Sequence, residues 1–530
     1  MVRKMKKEKY ISLFLFMLLL CGCARTDNTM GTEEQKDIGI ETQQSDISQE
    51  EALELPKTIA ELADSQLDRE DLDKIETYDT GVLQYQIFDR MQSLGLAAKD
   101  FMQPVESCAS LYQELYKANI DLTDKEVVTF TEDTGEALQE AIDKNAGKVI
   151  FITSDRIKIN RTMQLRDNTY LVAEGCSFEA DVDGDLIAGE NISDVVLSGI
   201  EIEGRAQNAL RIDACQNVVL TDCYVRGMKQ RGLRIQGTSQ NIIVANCSFT
   251  ENEAGGATVV DDAKRILFYR NDCSNNYGCI NDNAGFSFGN CYDTEHFPSE
   301  VIVYQNTSSN NQSGGMYCSG LYKSYFINNT VMGNQKEGTC LDWQTFGCYL
   351  LKNTYQGNGW RADQPDEILE ADEVLQDGRM EDGSSKAKLP GISLDNAVYN
   401  ILEQNTVTQN GGSGIKMVRA SVGNLISDNS VADNNTGENE RYHFFGIELG
   451  GERYTEEKWN MDFGSDYGNI VSDNRISGAH YAALFLAEGA EDNVIYGNIS
   501  AGETHWMMES IAMGKNALDT NAGEKPSRIL

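Results

Sequence analysis

The chain has 530 residues, of which 40% are hydrophobic, and a formal net charge of −38 at pH 7. So large a negative charge excludes nucleic acid as the main partner, because phosphate backbones are bound by basic surfaces. It also repels acidic glycans unless a bound cation or a local basic groove compensates.

The N-terminus has the pattern of an export signal. A basic head, with Arg3 and four lysines in the first nine residues, precedes the apolar run Tyr10 to Leu20 and the sequence Leu20-Cys21-Gly22-Cys23. This run is too short to span a bilayer, which takes about 20 residues. The segment resembles a bacterial lipoprotein signal. The resemblance implies a signal peptide over residues 1–22, lipidation at Cys23 and a membrane anchor on the extracytoplasmic face.

Two regions precede the repetitive part of the chain. Residues 23–56 are rich in Thr, Gln, Ser, Glu and Asp and have almost nothing to bury, which is typical of a disordered acidic tether. Over residues 57–124 we predict a small helical subdomain. Its apolar residues recur at helical spacing, most clearly at Val82, Leu83, Phe88, Met91 and Leu94, then at Leu111, Leu115 and Tyr116.

An amphipathic segment leads into the repeats. Leu138 and Ile142 lie on one face of the stretch Glu136 to Lys144, and Gly147 and an apolar strand follow. We predict a capping helix over residues 134–145. Such a plug is needed because the open end of a solenoid exposes core and unpaired strand edges.

A short sequence pattern then recurs between residues 191 and 500: an apolar residue, two residues of any type and an asparagine. Most steps are 23 to 25 residues long, a period typical of a β-solenoid. Each amide can bond the coils above and below, which are ~4.8 Å apart, so we predict a buried asparagine ladder. The predicted ladder residues are Asn246, Asn271, Asn306, Asn329, Asn353, Asn405, Asn429, Asn474 and Asn498, with Asp222 one repeat earlier.

This pattern resembles the right-handed parallel β-helix superfamily, with its pectate lyase-like fold, over roughly residues 125–500. The resemblance implies an all-β solenoid as the fold class. Insertions at about 276–300, 361–390 and 450–468 are predicted as loops that wall a binding groove, although neutral loop growth would give the same pattern. Residues 501–530 lose the repeat and are predicted to cap or trail from the solenoid.

Cysteine spacing favours packed core thiols over a metal site. Eleven cysteines follow Cys23, and Cys223, Cys247 and Cys273 lie one or two residues past their ladder positions. None has the spacing of a zinc site, so we predict no metal ligands among them. Cys340 and Cys348 flank one coil and could form a disulfide.

Alternation along the strands predicts a stripe of outward side chains. Four of them, Asp342, Asp395, Lys416 and Glu448, fall on four consecutive coils and are the predicted catalytic residues. Paired carboxylates suit glycoside hydrolysis, and a lysine beside them suits β-elimination. Ordinary cross-strand ion pairs are the structural alternative. The predicted substrate-binding residues are Arg211, Arg234, Tyr317, Trp360, Trp459 and His443.

Two other features receive structural interpretations. The segment Asp181-Val182-Asp183-Gly184-Asp185 lacks the spacing and distal glutamate of a calcium loop and is interpreted as a turn. Calcium binding is left open, and no other cofactor is indicated. His480 is interpreted as a packed turn residue.

The predicted function is that of an extracytoplasmic surface lipoprotein acting on polysaccharide, as a polysaccharide lyase or a glycoside hydrolase. The alternatives are a non-catalytic glycan-binding or adhesin-like surface protein and a polysaccharide epimerase. We expect a monomer that contacts the membrane through its lipid anchor.

Overall fold

The computed structural model of the protein describes residues 111, 115, 120–278, 283–290, 295–359, 388–434, 444–450, 455–456, 461–462, 466–487, 489–501, 505–509, 516–519 and 527–528. The predicted signal peptide, Cys23, the tether and most of the predicted helical subdomain lie outside these residues. Within the described ranges, no helix combines the length and apolarity needed to cross a bilayer.

The described chain winds into a solenoid of parallel strands. Sheet A has 18 strands: Val127–Phe130, Val149–Ile152, Arg156–Ile159, Tyr170–Asp181, Ser193–Arg205, Gln216–Thr221, Tyr224–Arg226, Gln240–Ala245, Ser248–Thr250, Lys264–Tyr269, Ser299–Tyr304, Tyr325–Ile327, Tyr349–Leu351, Ile401–Glu403, Leu425–Ser427, Ile470–Ser472, Val494–Tyr496 and Ala517–Asp519. Sheet B has 14 strands: Met163–Gln164, Ile187–Glu190, Leu210–Asp213, Leu233–Gln236, Ala257–Val259, Phe286–Gly289, Met316–Ser319, Thr339–Asp342, Ile392–Asp395, Ile415–Val418, Phe445–Leu449, Ala482–Leu486, His505–Glu509 and Ser527–Arg528.

Sheet C and two short pairs complete the strands. Sheet C has seven strands: Thr307–Ser309, Thr330–Met332, Thr354–Gln356, Thr406–Thr408, Ser430–Ala432, Arg475–Ser477 and Ile499–Ala501. Thr455–Glu456 pairs antiparallel with Met461–Asp462, and Asp466–Tyr467 pairs in parallel with Ala490–Glu491. Sheets A and B continue past residue 501, so the solenoid extends beyond the predicted end of the repeat.

The capping helix lies where the sequence predicts it. Helix α1 spans Gly135–Lys144, and the hydroxyl of its N-cap residue Thr134 accepts a hydrogen bond of 3.3 Å from the Ala137 amide. Leu138 and Ile142 are buried in the solenoid core. The helix therefore covers the interior at the first coils.

Alternation along each strand separates the core from the outer faces. In Tyr325–Ile327, the Phe326 side chain points into the solenoid, whereas Tyr325 and Ile327 belong to a separate apolar cluster outside sheet A. Inside, Phe326 packs edge-on against Phe288, with ring centroids 5.5 Å apart. Each fully buried ring of this kind contributes about 1.5–3 kcal/mol of hydrophobic stabilisation.

The predicted asparagine ladder is present at the turn between sheets A and C. Its side-chain amides donate to the next rung over 2.9 to 3.1 Å. Every rung from Asn271 to Asn498 is at most 2% exposed. The rungs are Asn271, Asn306, Asn329, Asn353, Asn405, Asn429, Asn474 and Asn498.

Asp222 and Asn246 are not ladder residues, contrary to the prediction. The Cys247 amide donates to Asn271 Oδ1 over 2.9 Å, which places Cys247 in the ladder position. Asn246 instead occupies the left-handed position before it, with φ of 53°. Asparagine suits both positions, because it tolerates left-handed φ and bonds turn backbone. A shift of one residue is therefore invisible in the sequence.

The structure has two further ladders that were not predicted. One lies between sheets C and B, with amide bonds of 2.7 to 3.1 Å joining Asn252, Asn276, Asn311, Asn334, Asn358, Asn410 and Asn434. The other lies between sheets B and A and joins Asn400, Asn424, Asn469, Asn493 and Asn516. All three turns of the later coils are therefore fixed by stacked amides.

The described cysteines are buried free thiols, so Cys340 and Cys348 do not form a disulfide. Cys340 points outward from sheet B, whereas Cys348 donates its amide to Asn400 Oδ1 in a turn. Burial raises the pKa of the Cys348 thiol to about 12 and that of Cys176 to about 11. These thiols therefore act as small apolar side chains.

His480 is a packed turn residue at the end of the ladder between sheets C and B. Its Nε2 accepts from the Asn434 backbone amide and side-chain amide at 3.2 and 3.3 Å, so the ring is neutral. Burial lowers its pKa to about 4, with the charge of Asp433 opposing this shift. In the unfolded chain the imidazole binds a proton near pH 6.5.

We expect the protein to lose stability as the pH falls from 6.5 to about 4, because the unfolded state binds the proton first. The loss attributable to His480 is about 3 kcal/mol at the acidic end. His480→Asn should remove this loss, since an amide oxygen accepts the same bonds at any pH. Urea unfolding of both proteins at pH 4 and pH 7 measures the difference, and an unchanged acid loss in the variant would contradict the assignment.

Candidate functional site

The four predicted catalytic residues lie on the outer face of sheet B. They come from four consecutive strands, Thr339–Asp342, Ile392–Asp395, Ile415–Val418 and Phe445–Leu449. Asp342 pairs in register with Asp395, and Lys416 pairs with Glu448. Neighbouring strands are ~4.8 Å apart, so each pair brings two polar side chains together.

The outward residues form two rows, not the single stripe that was predicted. Lys416 and Glu448 share a row with Tyr317, Cys340 and Ser393. The other row lies two residues further along the same strands and holds Ser319, Asp342 and Asp395. The prediction aligned the aspartates with Lys416 because period-two alternation fixes the face of a residue and leaves its position along the strand open.

Asp342 is held by two hydrogen bonds. The Tyr317 hydroxyl donates to Oδ2 over 2.6 Å, and the Trp343 backbone amide donates to Oδ1 over 2.7 Å. In register beside it, the buried Ser319 hydroxyl has no hydrogen-bond partner among the described residues. Tyr317 thus contacts the centre of the site, where it was predicted to bind substrate.

Asp395 forms an ion pair that the sequence analysis missed. The Arg419 guanidinium lies 2.7 Å from Asp395 Oδ2, and both side chains are 14% exposed. Arg419 sits just past its strand with a left-handed φ of 57°. Alternation along the strand cannot predict where the side chain of a residue beyond such a bend lies. The presence of a basic residue three positions after Lys416 was nevertheless visible in the sequence.

Lys416 and Glu448 form the second charged contact. Lys416 Nζ lies 3.6 Å from Glu448 Oε1, and the Ser413 hydroxyl donates to Oε2 over 2.7 Å. Glu448 is only 9% exposed. A buried carboxylate with this support is rigidly placed, because each of its oxygens has a partner.

Small side chains flank the two aspartates in the other outward row. Cys340 and Ser393 lie in the row of Lys416 and are both 7% exposed. Burial, together with the charges of Glu337, Asp342 and Asp395, raises the pKa of the Cys340 thiol. The thiol is therefore protonated and is not a nucleophile at neutral pH.

Aromatic side chains bound the C-terminal end of the site. Phe485 follows Glu448 in the same row, and its ring stacks on Phe445 with centroids 4.3 Å apart. The Tyr481 ring meets Phe445 edge-on at 6.4 Å. Aromatic faces of this kind favour contact with the apolar faces of ring-shaped ligands.

Arg211 and Arg234 lie on the same face but far from the carboxylates. They are five and four strands from Asp342, which corresponds to ~24 and ~19 Å. Arg211 is engaged by Asp185 and Asp213 at 2.8 and 2.9 Å. The two arginines therefore lie in the predicted stripe, in the row of Tyr317 and Lys416, but too far along it to contact the central carboxylates.

The remaining predicted ligands are not placed by the structure. Trp360, Trp459 and His443 lie outside the described residues. The segment interpreted as a turn is a bend, and its Asp185 faces Arg211. Among the described residues, no group of three His, Cys, Asp or Glu side chains could hold a metal ion.

The arrangement offers a general acid and a general base on adjacent strands. Asp342 and Asp395 are adjacent carboxylates, one held by hydrogen bonds and the other by a guanidinium. Two carboxyl groups about 5 to 10 Å apart can share the acid and base steps of glycoside cleavage. Lys416 and Glu448 offer a second acid–base pair on the next two strands.

Parallel coils with stacked turn amides are typical of right-handed parallel β-helix proteins. The family described as "Right handed beta helix region" matches residues 120–272 and 186–355, and "Periplasmic copper-binding protein (NosD)" matches residues 277–442. The chain belongs to the right-handed parallel β-helix superfamily. No curated protein matches its sequence.

Solved structures share this fold at low sequence identity. The A-module of the mannuronan C-5 epimerase AlgE4 from Azotobacter vinelandii has a TM-score of 0.54 at 13% identity, covering 73% of this chain and 96% of the module. The pre-mature gene product 12 of bacteriophage phi29 has a TM-score of 0.50 at 11% identity, covering 82% of this chain and 57% of that protein. These likenesses concern the fold.

Proposed function

We propose that the protein is a polysaccharide-cleaving enzyme of the glycoside hydrolase type, with its site on the outer face of sheet B. The observation that carries the proposal is the in-register pair Asp342 and Asp395 on adjacent strands. One carboxyl group protonates the leaving glycosidic oxygen, and the other activates water or attacks the sugar.

The charge pairing favours hydrolysis over elimination. A lyase must neutralise the uronate carboxylate and keep a base free to remove the neighbouring proton. In the described part of the site, Arg419 is already paired with Asp395 and Lys416 with Glu448. A neutral glycan therefore fits this site, whose two cations already pair with carboxylates, better than a uronate polymer.

Elimination or epimerisation is the second candidate. Lys416 favours it, since its side chain is 24% exposed and could move from Glu448 to act as a base. The epimerase module of the same fold makes C-5 epimerisation a reaction to test. In a protein that binds glycan without catalysis, the same residues would contact the ligand.

Product analysis separates these candidates. On a panel of neutral and acidic polysaccharides, we expect new reducing ends from a neutral glycan without the ultraviolet absorbance of a new carbon–carbon double bond. Absorbance would indicate elimination, and a changed uronate stereochemistry by NMR without cleavage would indicate epimerisation. Binding with no product from any glycan would contradict the enzyme proposal.

We also propose that the protein acts outside the cytoplasm as a lipid-anchored monomer. The signal-like N-terminus ending at Cys23 supports this location, and the matched family described as periplasmic is consistent with it. The polysaccharide is then met at the cell surface. Mass spectrometry of the mature protein tests the anchor, because an unmodified or uncleaved N-terminus would contradict it.

A further inference from the structure

Sheet A carries an apolar band of covered outward residues. They form one cluster that runs from Val149 to Val494, whose buried members are at most 8% exposed, whereas Tyr224 on another strand of the sheet is 54% exposed. Tyr269 and Tyr304 stack on this face with ring centroids 5.7 Å apart. An outer face exposed to water would instead alternate with polar residues.

Polar groups on this face are also shielded. The buried Tyr269 hydroxyl has no hydrogen-bond partner among the described residues. Glu403 receives a hydrogen bond from the Tyr349 hydroxyl, and burial raises the pKa of its carboxyl group. Both groups are therefore shielded from water within the covered band.

The cluster identifies one end of the cover. Apart from the strands of sheet A, its described members are Leu111, Leu115, Ile120 and Leu122. Leu111 and Leu115 are helical, four residues apart, and 2% and 0% exposed. Residues at this spacing lie on one face of a helix. The chain just before the solenoid thus packs its apolar face onto sheet A.

Two insertions join other sheets, since residues 360–387 and 435–443 each follow a sheet C strand and precede a sheet B strand in the chain. The chain before residue 120 instead leads directly into the first strands of sheet A, and it is long enough to follow the covered band.

We propose that residues 55–119 form a helical cover along the outer face of sheet A. The face spans thirteen strands, or ~58 Å, and a single helix of about 39 residues would match that length. The segment has 65 residues, and its helically spaced apolar positions include Phe88, Met91 and Leu94. Sheet B is then the long face left open to a glycan.

Photo-cross-linking tests the cover in the full-length protein. With a benzoylphenylalanine in place of Phe88, we expect cross-linked peptides that contain outward residues of sheet A, such as Tyr304, Tyr325 or Tyr349. The same group in place of Tyr224, which is 54% exposed, is the control and should give no cross-link to residues 55–119. Circular dichroism confirms folding, and the label moves to Leu94 if the first variant fails to fold.

Three results would overturn the proposal. The first is cross-links from the segment to the outer face of sheet B. The second is cross-links only between chains, detected by mixing isotopically light and heavy protein, which would assign the face to a second copy. The third is no cross-link at either position in folded protein.

Discussion

Asp342→Asn and Asp395→Asn are each expected to lower kcat on the cleaved glycan by about 10²- to 10⁴-fold, the usual contribution of a general acid or base. Asparagine keeps the shape of the side chain and can still accept from the Tyr317 hydroxyl or lie beside Arg419. It cannot transfer the proton. Initial rates of reducing-end formation, with circular dichroism as a folding check, measure the effect.

Asp213→Asn is the matched control. Asp213 occupies the same outward row of sheet B, five strands before Asp342, and pairs with Arg211. We expect its variant to retain activity within a few fold. Equal losses in all three variants would point to a general effect of charge on the face and would contradict a catalytic pair.

Azide distinguishes the roles of the two aspartates in alanine variants, where the shortened side chain leaves room for the anion. If Asp395 acts as the base or nucleophile, azide should restore turnover to Asp395→Ala and yield a glycosyl azide of inverted anomeric configuration, and Asp342 then protonates the leaving oxygen. The inverted azide from Asp342→Ala would reverse the roles. Rescue of neither variant, with binding retained in both, would favour a binding function for the pair.

The face of each site residue was predictable, and its exact neighbours were not. Period-two alternation sends Asp342, Lys416 and Glu448 outward whatever the rest of the coil does, and all three are outward. Position along the strand depends on where each turn ends. The Arg419 ion pair with Asp395 depends on a left-handed residue that no periodicity reveals.

The ladder shows the same limit. A repeated asparagine predicts stacked amides because a buried amide needs partners and only the adjacent coils supply them. The sequence cannot distinguish the ladder position from the left-handed position before it when both favour asparagine, as at Asn246. The ladder between sheets C and B follows the same spacing five residues later in most coils, as at Val331 and Asn334, so the sequence carried a signal for it. The ladder between sheets B and A mostly has small or polar residues at that place, such as Ser421 before Asn424.

The ladder also supports the site. Thr339–Asp342 and Tyr349–Leu351 belong to one coil, whose turn into sheet C begins at Asn353. Strand register on sheet B is fixed by the turns of each coil, since a shift of one residue would turn Asp342 inward. The stacked amides therefore hold the carboxylates in place without contacting them.

Asn353→Ala is expected to destabilise the protein by about 3–5 kcal/mol, because each buried group left unpaired costs about 1–3 kcal/mol. Asn353 is 1% exposed. Its side-chain amide donates to Phe326 O at 2.9 Å and to Asn405 Oδ1 at 3.0 Å, and its oxygen accepts from the Asn329 backbone amide at 2.9 Å. Alanine leaves the Phe326 carbonyl and the Asn329 backbone amide without these partners, whereas Asn405 Oδ1 keeps the bond from the backbone amide of residue 353.

Urea unfolding followed by circular dichroism measures this loss, with Asn160→Ala as the matched control. Asn160 is exposed, so its replacement should change the free energy of unfolding by no more than about 0.5 kcal/mol. Both variants delete one side-chain amide, but only the Asn353 amide is bonded to the coils above and below. If Asn353→Ala costs no more than Asn160→Ala, the turn amides are interchangeable with apolar residues, and hydrophobic packing alone sets the register of the solenoid.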